Sequence, residues 1–267
     1  MIRNQGSSNQ SLGLQKFYQP HLFYLGEERI RNLVISLLKG PLVLDAGCGN
    51  GWLSVCAWEK GYNVFSFDIA KNEIQESLFF FKERKANIGL AKASLLVLPF
   101  AGSSFDSIMC VNVLEHVLNV KQALCEMKRV LKKGGRLVLM VPNGLTFGLL
   151  YDKLVYRIVP TKTIISRTNR TLFSLKDDEI SRMKLDEKEP IGHHQQFTIA
   201  QIRKLLTENG LKVTNVVNCR FLAPYLRSFC TLLGREPIRA FEQFDTRLAE
   251  FAPSSLVAEW IIASEKS

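Results

Sequence analysis

Apolar positions along the chain follow two periods that alternate. Ile30, Leu33, Val34, Leu37 and Leu38 recur at the spacing of one helix face, and Gly40-Pro41 stops them. A short apolar run at 41–44 ends at Asp45 and a glycine turn, and residues 52–60 then predict a helix closed by Gly61. A β-rich run at 63–67 ends at Asp68 and is followed by a helix carrying Ile74, Leu78 and Phe81. Further strands are predicted at 89–95 and 105–113. Val120, Ala123, Leu124, Met127, Val130 and Leu131 mark another helix, which the turn Lys132-Lys133-Gly134-Gly135 ends before a strand at 136–141. Thr198-Ile199-Ala200-Gln201 has the form of a capping box, and Ile202, Leu205 and Leu206 continue that helix to Gly210. Two late strands are predicted at 211–218 and 256–263.

Strands alternating with helices predict an α/β fold: a doubly wound, mainly parallel, seven-stranded sheet of Rossmann-like type. Residues 1–267 read as one domain, with a polar leader at 1–26 and a variable, aromatic-rich connection at 220–254 before the last strand. Residues 143–196 break the rhythm. Ordinary connections of this kind run roughly 2 to 6 residues, so this stretch is expected to be a helical insertion after strand five that forms a substrate lid.

A chain of 267 residues with 46% hydrophobic content can build one large core, and no stretch approaches the roughly 20 uncharged apolar residues of a membrane span. The N-terminus lacks a secretory apolar region, which places the expected location in the cytoplasm. Six scattered cysteines without a Cys-x-x-Cys pair or zinc-ligand spacing read as reduced core thiols, with no metal site. The net charge of +10 favours anionic partners or simply a solvated basic surface.

The chemistry concentrates where open α/β sheets bind ligands, beyond the carboxyl ends of the strands. Gly47, Gly49 and Gly51 permit a tight turn and close approach of a ligand, and the helix start is expected to offer unpaired N–H groups. Asp45 ends a buried strand, a costly place for a charge without a partner. Asp68 ends the next strand, where an acid accepts hydrogen bonds from ribose hydroxyls.

Val43-Leu44-Asp45-Ala46-Gly47-Cys48-Gly49-Asn50-Gly51 resembles motif I of class I S-adenosylmethionine methyltransferases, and Asp68 matches their ribose-binding acid. Leu98-Pro99-Phe100, Phe105-Asp106 and Leu114-Glu115-His116-Val117 resemble the region around strand four in their small-molecule, quinone-biosynthesis branch. The similarity runs from about 28 to 142, with a weaker stretch from Phe197-Thr198 to Gly210. It implies S-adenosylmethionine as cofactor. Asp45, Ala46, Gly47, Cys48, Gly49 and Gly51 would receive its methionine portion, Asp68 and Ile69 the ribose and adenine, and Asn112, Val113 and Leu114 the sulfonium side. Where the family often has an acid for the adenine amino group this chain has Ala93-Ser94; Ser94, followed by Leu95, offers one acceptor there.

Two rival readings are a nicotinamide-dependent oxidoreductase and a non-catalytic cofactor-binding interaction module. The dinucleotide fingerprint wants a third glycine at position 52, and Trp52 stands there. Methyl transfer needs alignment rather than a protein nucleophile, while a hydroxyl acceptor benefits from a base, for which His116 is the expected residue and Glu115 a structural acid. Asn112-Val113-Leu114-Glu115 departs from the Asn/Asp-Pro-Pro-Tyr/Phe of nucleobase methyltransferases, and RNA-binding aromatic motifs are absent, so nucleic acid is not the expected partner. The insertion mixes Phe147, Tyr151 and Tyr156 with Lys153, Arg157 and Arg167. That suits a small-molecule or lipid-linked, quinone-like O-acceptor, or peripheral contact with an anionic membrane.

Overall fold

The computed structural model describes residues 25–144, 195–221 and 235–267. Helix α1 (Leu25–Ser36) leads into β1 (Leu42–Ala46), α2 (Trp52–Glu59), β2 (Asn63–Asp68), α3 (Lys71–Glu83) and β3 (Gly89–Lys92). Then come β4 (Phe105–Val111), a single 3-10 turn (Leu114–His116), α4 (Val120–Val130), β5 (Leu131–Pro142), α5 (Ile199–Glu208), β6 (Leu211–Arg220), α6 (Arg235–Phe251) and β7 (Glu259–Lys266). The strand order is β3-β2-β1-β4-β5-β7-β6. β1 to β5 pair in parallel, whereas β7 runs antiparallel to both β5 and β6. The expected seven-stranded, mainly parallel sheet is present.

Alternate residues of the central strands enter different cores, because successive side chains of a strand point to opposite faces. Leu44, Ile108, Leu137 and Leu139 join Leu124, Met127, Ile202 and Leu206 of α4 and α5 on one face. Val43, Met109, Val138 and Met140 join Ile30, Val34 and Ile35 of α1 on the other. Among the described residues no helix is long and apolar enough to cross a membrane.

Several boundaries differ from the sequence expectation. α1 stops at Ser36, short of Leu38, and β3 stops at Lys92, after which Ser94 bridges to Val97 in a tight turn. The expected turn at 132–135 lies inside β5: Phe105 pairs with Leu131 and Ser107 with Arg136, so the intervening residues bulge out where Gly134 takes φ +70°. The connection at 220–254 contains α6. It is amphipathic, with Phe241 and Leu248 partly buried beside buried Asp245, Thr246 and Ala249. Cys48, Cys110 and Cys219 are buried thiols, but Cys125 is exposed, its Sγ donating to Asn209 Oδ1 at 3.3 Å.

The insertion at 143–196 falls almost wholly outside the described residues, as do the leader and Cys230. Its two ends are described and meet. Asn143 bridges Phe197 in parallel, and Gly144 N donates to Phe197 O at 2.8 Å. The chain therefore leaves the sheet and returns to it at one point, beside the carboxyl ends of β4 and β5. There Thr198 forms the expected capping box, with both the Thr198 and Gln201 hydrogen bonds made.

Candidate active site

The turn between β1 and α2 is built by its glycines. Gly47, Gly49 and Gly51 have φ of +78°, +52° and +78°, where an L side chain is strained. A Cβ on Gly47 would lie 2.5 Å from Val113 Cγ2, and one on Gly51 2.5 Å from Phe81 Cε1. Gly49 differs: within 4 Å its Cβ would meet only Glu73 Oε2, at 3.6 Å. The first and third glycines thus let the turn press against the end of β4 and against α3, and the middle one leaves only ordinary contact distance to Glu73.

The amides of this turn are not the unpaired donors expected from sequence. Gly47 N and Cys48 N both donate to Phe67 O at 2.9 Å, Gly51 N donates to Cys48 O at 2.9 Å, and Trp52 N donates to Asn50 Oδ1 at 3.2 Å. A turn this tight folds its N–H groups back onto its own acceptors. Gly49 N instead donates to Asp68 Oδ2 at 2.9 Å, while Asp68 Oδ1 accepts from Ala70 N at 2.9 Å. Asp68 therefore ties the end of β2 to the loop.

Asp45 is 2% exposed and accepts a hydrogen bond from Ser54 Oγ at 2.5 Å. Burial pushes its carboxyl up to about 7; the Ser54 hydroxyl offsets part of this, and the charge of Asp68 adds to it. A buried carboxylate of this kind fits a cationic ligand group. Glu115 is likewise buried, with no hydrogen-bond partner for its Oε2. Burial raises its carboxyl to about 7, its own backbone N–H opposes that, and Glu259 reinforces it.

A cleft of about 240 Å3 opens beside the turn, lined by Arg31 and Val34 of α1, Asp45, Gly47, Cys48 and Asn50, Trp52 of α2, and Asn112 and Met140 at the ends of β4 and β5, with Arg220 at the end of β6. Asn112 has φ +53°, a left-handed conformation that Asn tolerates, and its N–H donates to Met140 O at 3.0 Å. Asp45, Gly47, Cys48 and Asn112 are thus brought together on one wall. Val113 touches Gly47 from below, while Leu114 and Ala46 are core residues. Asp68, Ile69, Ser94 and Leu95 lie to the β2–β3 side, outside this cleft; Ser94 Oγ accepts from Leu96 N at 3.2 Å, Leu95 is buried, and Ile69 is exposed. His116 closes the 3-10 turn, half-buried and off the cleft wall.

Residues 44–139 match the family of the methyltransferase domain. Over that stretch the chain is similar to methyltransferase domains. It is 42% identical over 105 residues to an uncharacterised protein of Methanocaldococcus jannaschii, covering 39% of this chain and 42% of that one. It is 30% identical to a demethylmenaquinone methyltransferase of Renibacterium salmoninarum (54% of this chain, 62% of the relative). It is 26% identical to a ubiquinone biosynthesis O-methyltransferase of Rickettsia akari (54% and 57%). The chain thus spans about half the length of the curated relatives it matches. A geranyl diphosphate C-methyltransferase structure from Streptomyces coelicolor A3(2) superposes with a TM-score of 0.58 over 90% of this chain and 78% of that one, at 16% identity, a likeness of fold.

Packing explains Trp52. Its ring stacks on Phe80 at 4.9 Å between centroids, with Arg31 at 5.4 Å and Arg84 at 5.5 Å from the ring centre. The close packing that a glycine would allow is made one residue earlier, by Gly51 against α3. The antiparallel β7 between β5 and β6 likewise departs from the 3-2-1-4-5-6 order of dinucleotide-binding sheets. Sequence reading missed Arg31, Met140 and Arg220 in the domain's cleft. Only Arg220, a cation at the carboxyl end of a strand, carried a signal.

Proposed function

We propose that this chain transfers a methyl group from S-adenosylmethionine to the oxygen of a small-molecule, lipid-like acceptor. The observation that carries this reading is the pairing of Gly49 N, in the turn after β1, with Asp68 at the carboxyl end of β2, beside the buried carboxyl of Asp45. Asp68 would turn its carboxylate to the ribose hydroxyls. Asp45, with the backbone of 47–51, would take the cationic methionine end, and Asn112 and Val113 would flank the sulfonium. Ile69, Ser94 and Leu95 would border the adenine. When bound, the cofactor supplies a methyl group already activated by its sulfonium.

The chain's own residues then align the acceptor and remove its proton. His116 is the proposed base for a hydroxyl, one turn beyond the end of β4. The quinone-pathway names of two relatives, and exposed Leu118 and Leu256 next to the ends of the 3-10 turn and β7, support an apolar acceptor and peripheral contact with a membrane. Calorimetric titration with S-adenosylhomocysteine and with NADH tests the cofactor, and transfer of radiolabelled methyl into a lipid extract tests the acceptor. Expected are S-adenosylhomocysteine binding and a labelled lipid. NADH binding without S-adenosylhomocysteine binding overturns the reading, and cofactor binding without methyl transfer to any extract points to a non-catalytic binding module.

A further inference from the structure

Helix α6 packs on β6 and α1 through one face, with Asp245, Thr246 and Ala249 buried. Its opposite face is bare. Phe244 and Phe251 stand about two turns apart on one stripe and are 61% and 87% exposed. Arg247 lies between them on the same stripe, exposed and without an ion-pair partner among the described residues, while the neighbouring acid Glu250 pairs with Arg29 of α1. Exposed Leu256 follows in the connection to β7. Single exposed apolar residues are ordinary, but two open rings on one stripe with a leucine beyond them form a patch of the kind that marks an interaction surface.

The end of α6 is fixed to the end of the sheet that holds the cleft. Asn143 Nδ2, just beyond β5, donates to Ser255 O at 3.0 Å and to Val257 O at 2.8 Å. Asn218 Nδ2 of β6 donates to Ala252 O at 2.8 Å, and Trp260 Nε1 of β7 donates to Ser254 O at 2.7 Å. The patch is therefore held beside the carboxyl end of β5, where the insertion leaves the sheet.

Charge decides what fits the stripe. In a twofold pair of copies centred on it, Arg247 would face Arg247, like charge against like. An anionic lipid surface instead offers headgroup phosphates to Arg247 and an acyl boundary to the two rings, the way a helix with aromatic and cationic positions lies in a bilayer interface. The net charge of +10 adds to that attraction. We propose that the Phe244, Arg247 and Phe251 face of α6 docks on an anionic lipid surface and brings the carboxyl end of the sheet to it; this deepens, and rests on, the membrane contact of the functional reading above.

The test uses the full chain and vesicles of phosphatidylcholine, alone or in equal parts with phosphatidylglycerol. Co-sedimentation should show wild type favouring the anionic vesicles. Replacing both rings, Phe244→Ser with Phe251→Ser, should weaken binding by about 10- to 100-fold, the effect of keeping two phenyl groups out of the interface. Arg247→Gln should weaken binding to the anionic vesicles by about fivefold and leave the neutral ones unaffected. Leu78→Ser, which removes an exposed apolar side chain from α3, should bind like wild type, and unchanged thermal melts would show that the variants fold. Phe251→Trp keeps a ring and should retain binding, its fluorescence shifting to the blue on vesicles. Undiminished binding in the double variant, an equal loss in Leu78→Ser, or a wild-type dimer that the double variant dissolves would overturn the proposal, the last by making this face a contact between copies. Wild type that binds neither vesicle would instead overturn the membrane contact on which the proposal rests.

Discussion

Ser54 Oγ donates to Asp45 Oδ2 at 2.5 Å, and Ser66 Oγ in turn donates to Ser54 Oγ at 2.9 Å. This buried chain of hydroxyls links β2, α2 and β1 beneath the glycine turn. It is the partner that Asp45 needs at the end of a core strand, and it only partly offsets the cost of burying a carboxylate.

That cost sets a pH dependence. The folded carboxyl of Asp45 titrates near 7, above its ordinary 3.8, so its contribution to stability is complete in acid and is lost as pH rises through 7. Asp45→Asn should match wild-type stability near pH 4 and exceed it at pH 8 by on the order of 2–4 kcal/mol, read as a higher melting temperature. A cationic ligand reverses the preference. Wild-type affinity for S-adenosylhomocysteine should rise with pH and level off above about 7, and the variant should bind it about 10- to 100-fold more weakly. Thermal melts and calorimetry across pH 4–8 check both limbs; a variant that melts lower at pH 8 would refute the assignment.

The three glycines of the turn should not be equivalent. Gly47→Ala combines positive φ with a contact of 2.5 Å to Val113, whereas Gly49→Ala meets positive φ alone. Denaturant unfolding should show Gly49→Ala costing about 1–2 kcal/mol and Gly47→Ala at least 1 kcal/mol more, since Val113 must also move. Equal losses would mean that the β4 contact is unimportant.

Arg129 staples the Leu98-Pro99-Phe100 stretch to α4. Its Nη1 donates to Phe100 O at 2.8 Å and its Nη2 to Leu98 O at 2.9 Å, while Glu126 Oε2 accepts from Leu98 N at 2.8 Å. The Arg129 hydrogen bond holds the Glu126 carboxyl below its ordinary range despite partial burial, with the Leu98 N–H adding to the effect. Arg129→Ala should lower stability by about 1 kcal/mol, the partial exposure of the side chain limiting the loss. Wild-type protein should also lose stability as pH falls through the depressed Glu126 value, and this acid sensitivity should shrink in the variant. Urea midpoints at acid and neutral pH measure it.

His116 and the glycine turn make separable contributions if His116 is the base. His116→Ala should reduce labelled methyl transfer into the lipid extract by about 100- to 10,000-fold while leaving S-adenosylhomocysteine affinity unchanged. Turnover equal to wild type would remove His116 from the chemistry.

The pattern along the chain was enough for the alternation of strands and helices, the capping box at Thr198, the glycine turn and Asp68 at the end of β2. Each is a local property: period, propensity and turn chemistry act over a few residues and are written where they operate. The tertiary structure decided what depends on distant residues meeting. It put β7 antiparallel between β5 and β6, and it buried Asp245 and Thr246 of α6 on the sheet side of that helix. It gave the turn amides internal partners in place of the free donors expected. It also brought Arg31 of α1 and Arg220 of β6, 189 positions apart (220 minus 31), to one cleft. No local signal encodes such a meeting, because which strand neighbours which follows from burying whole faces of the sheet at once, and the side chains at the strand ends are carried along.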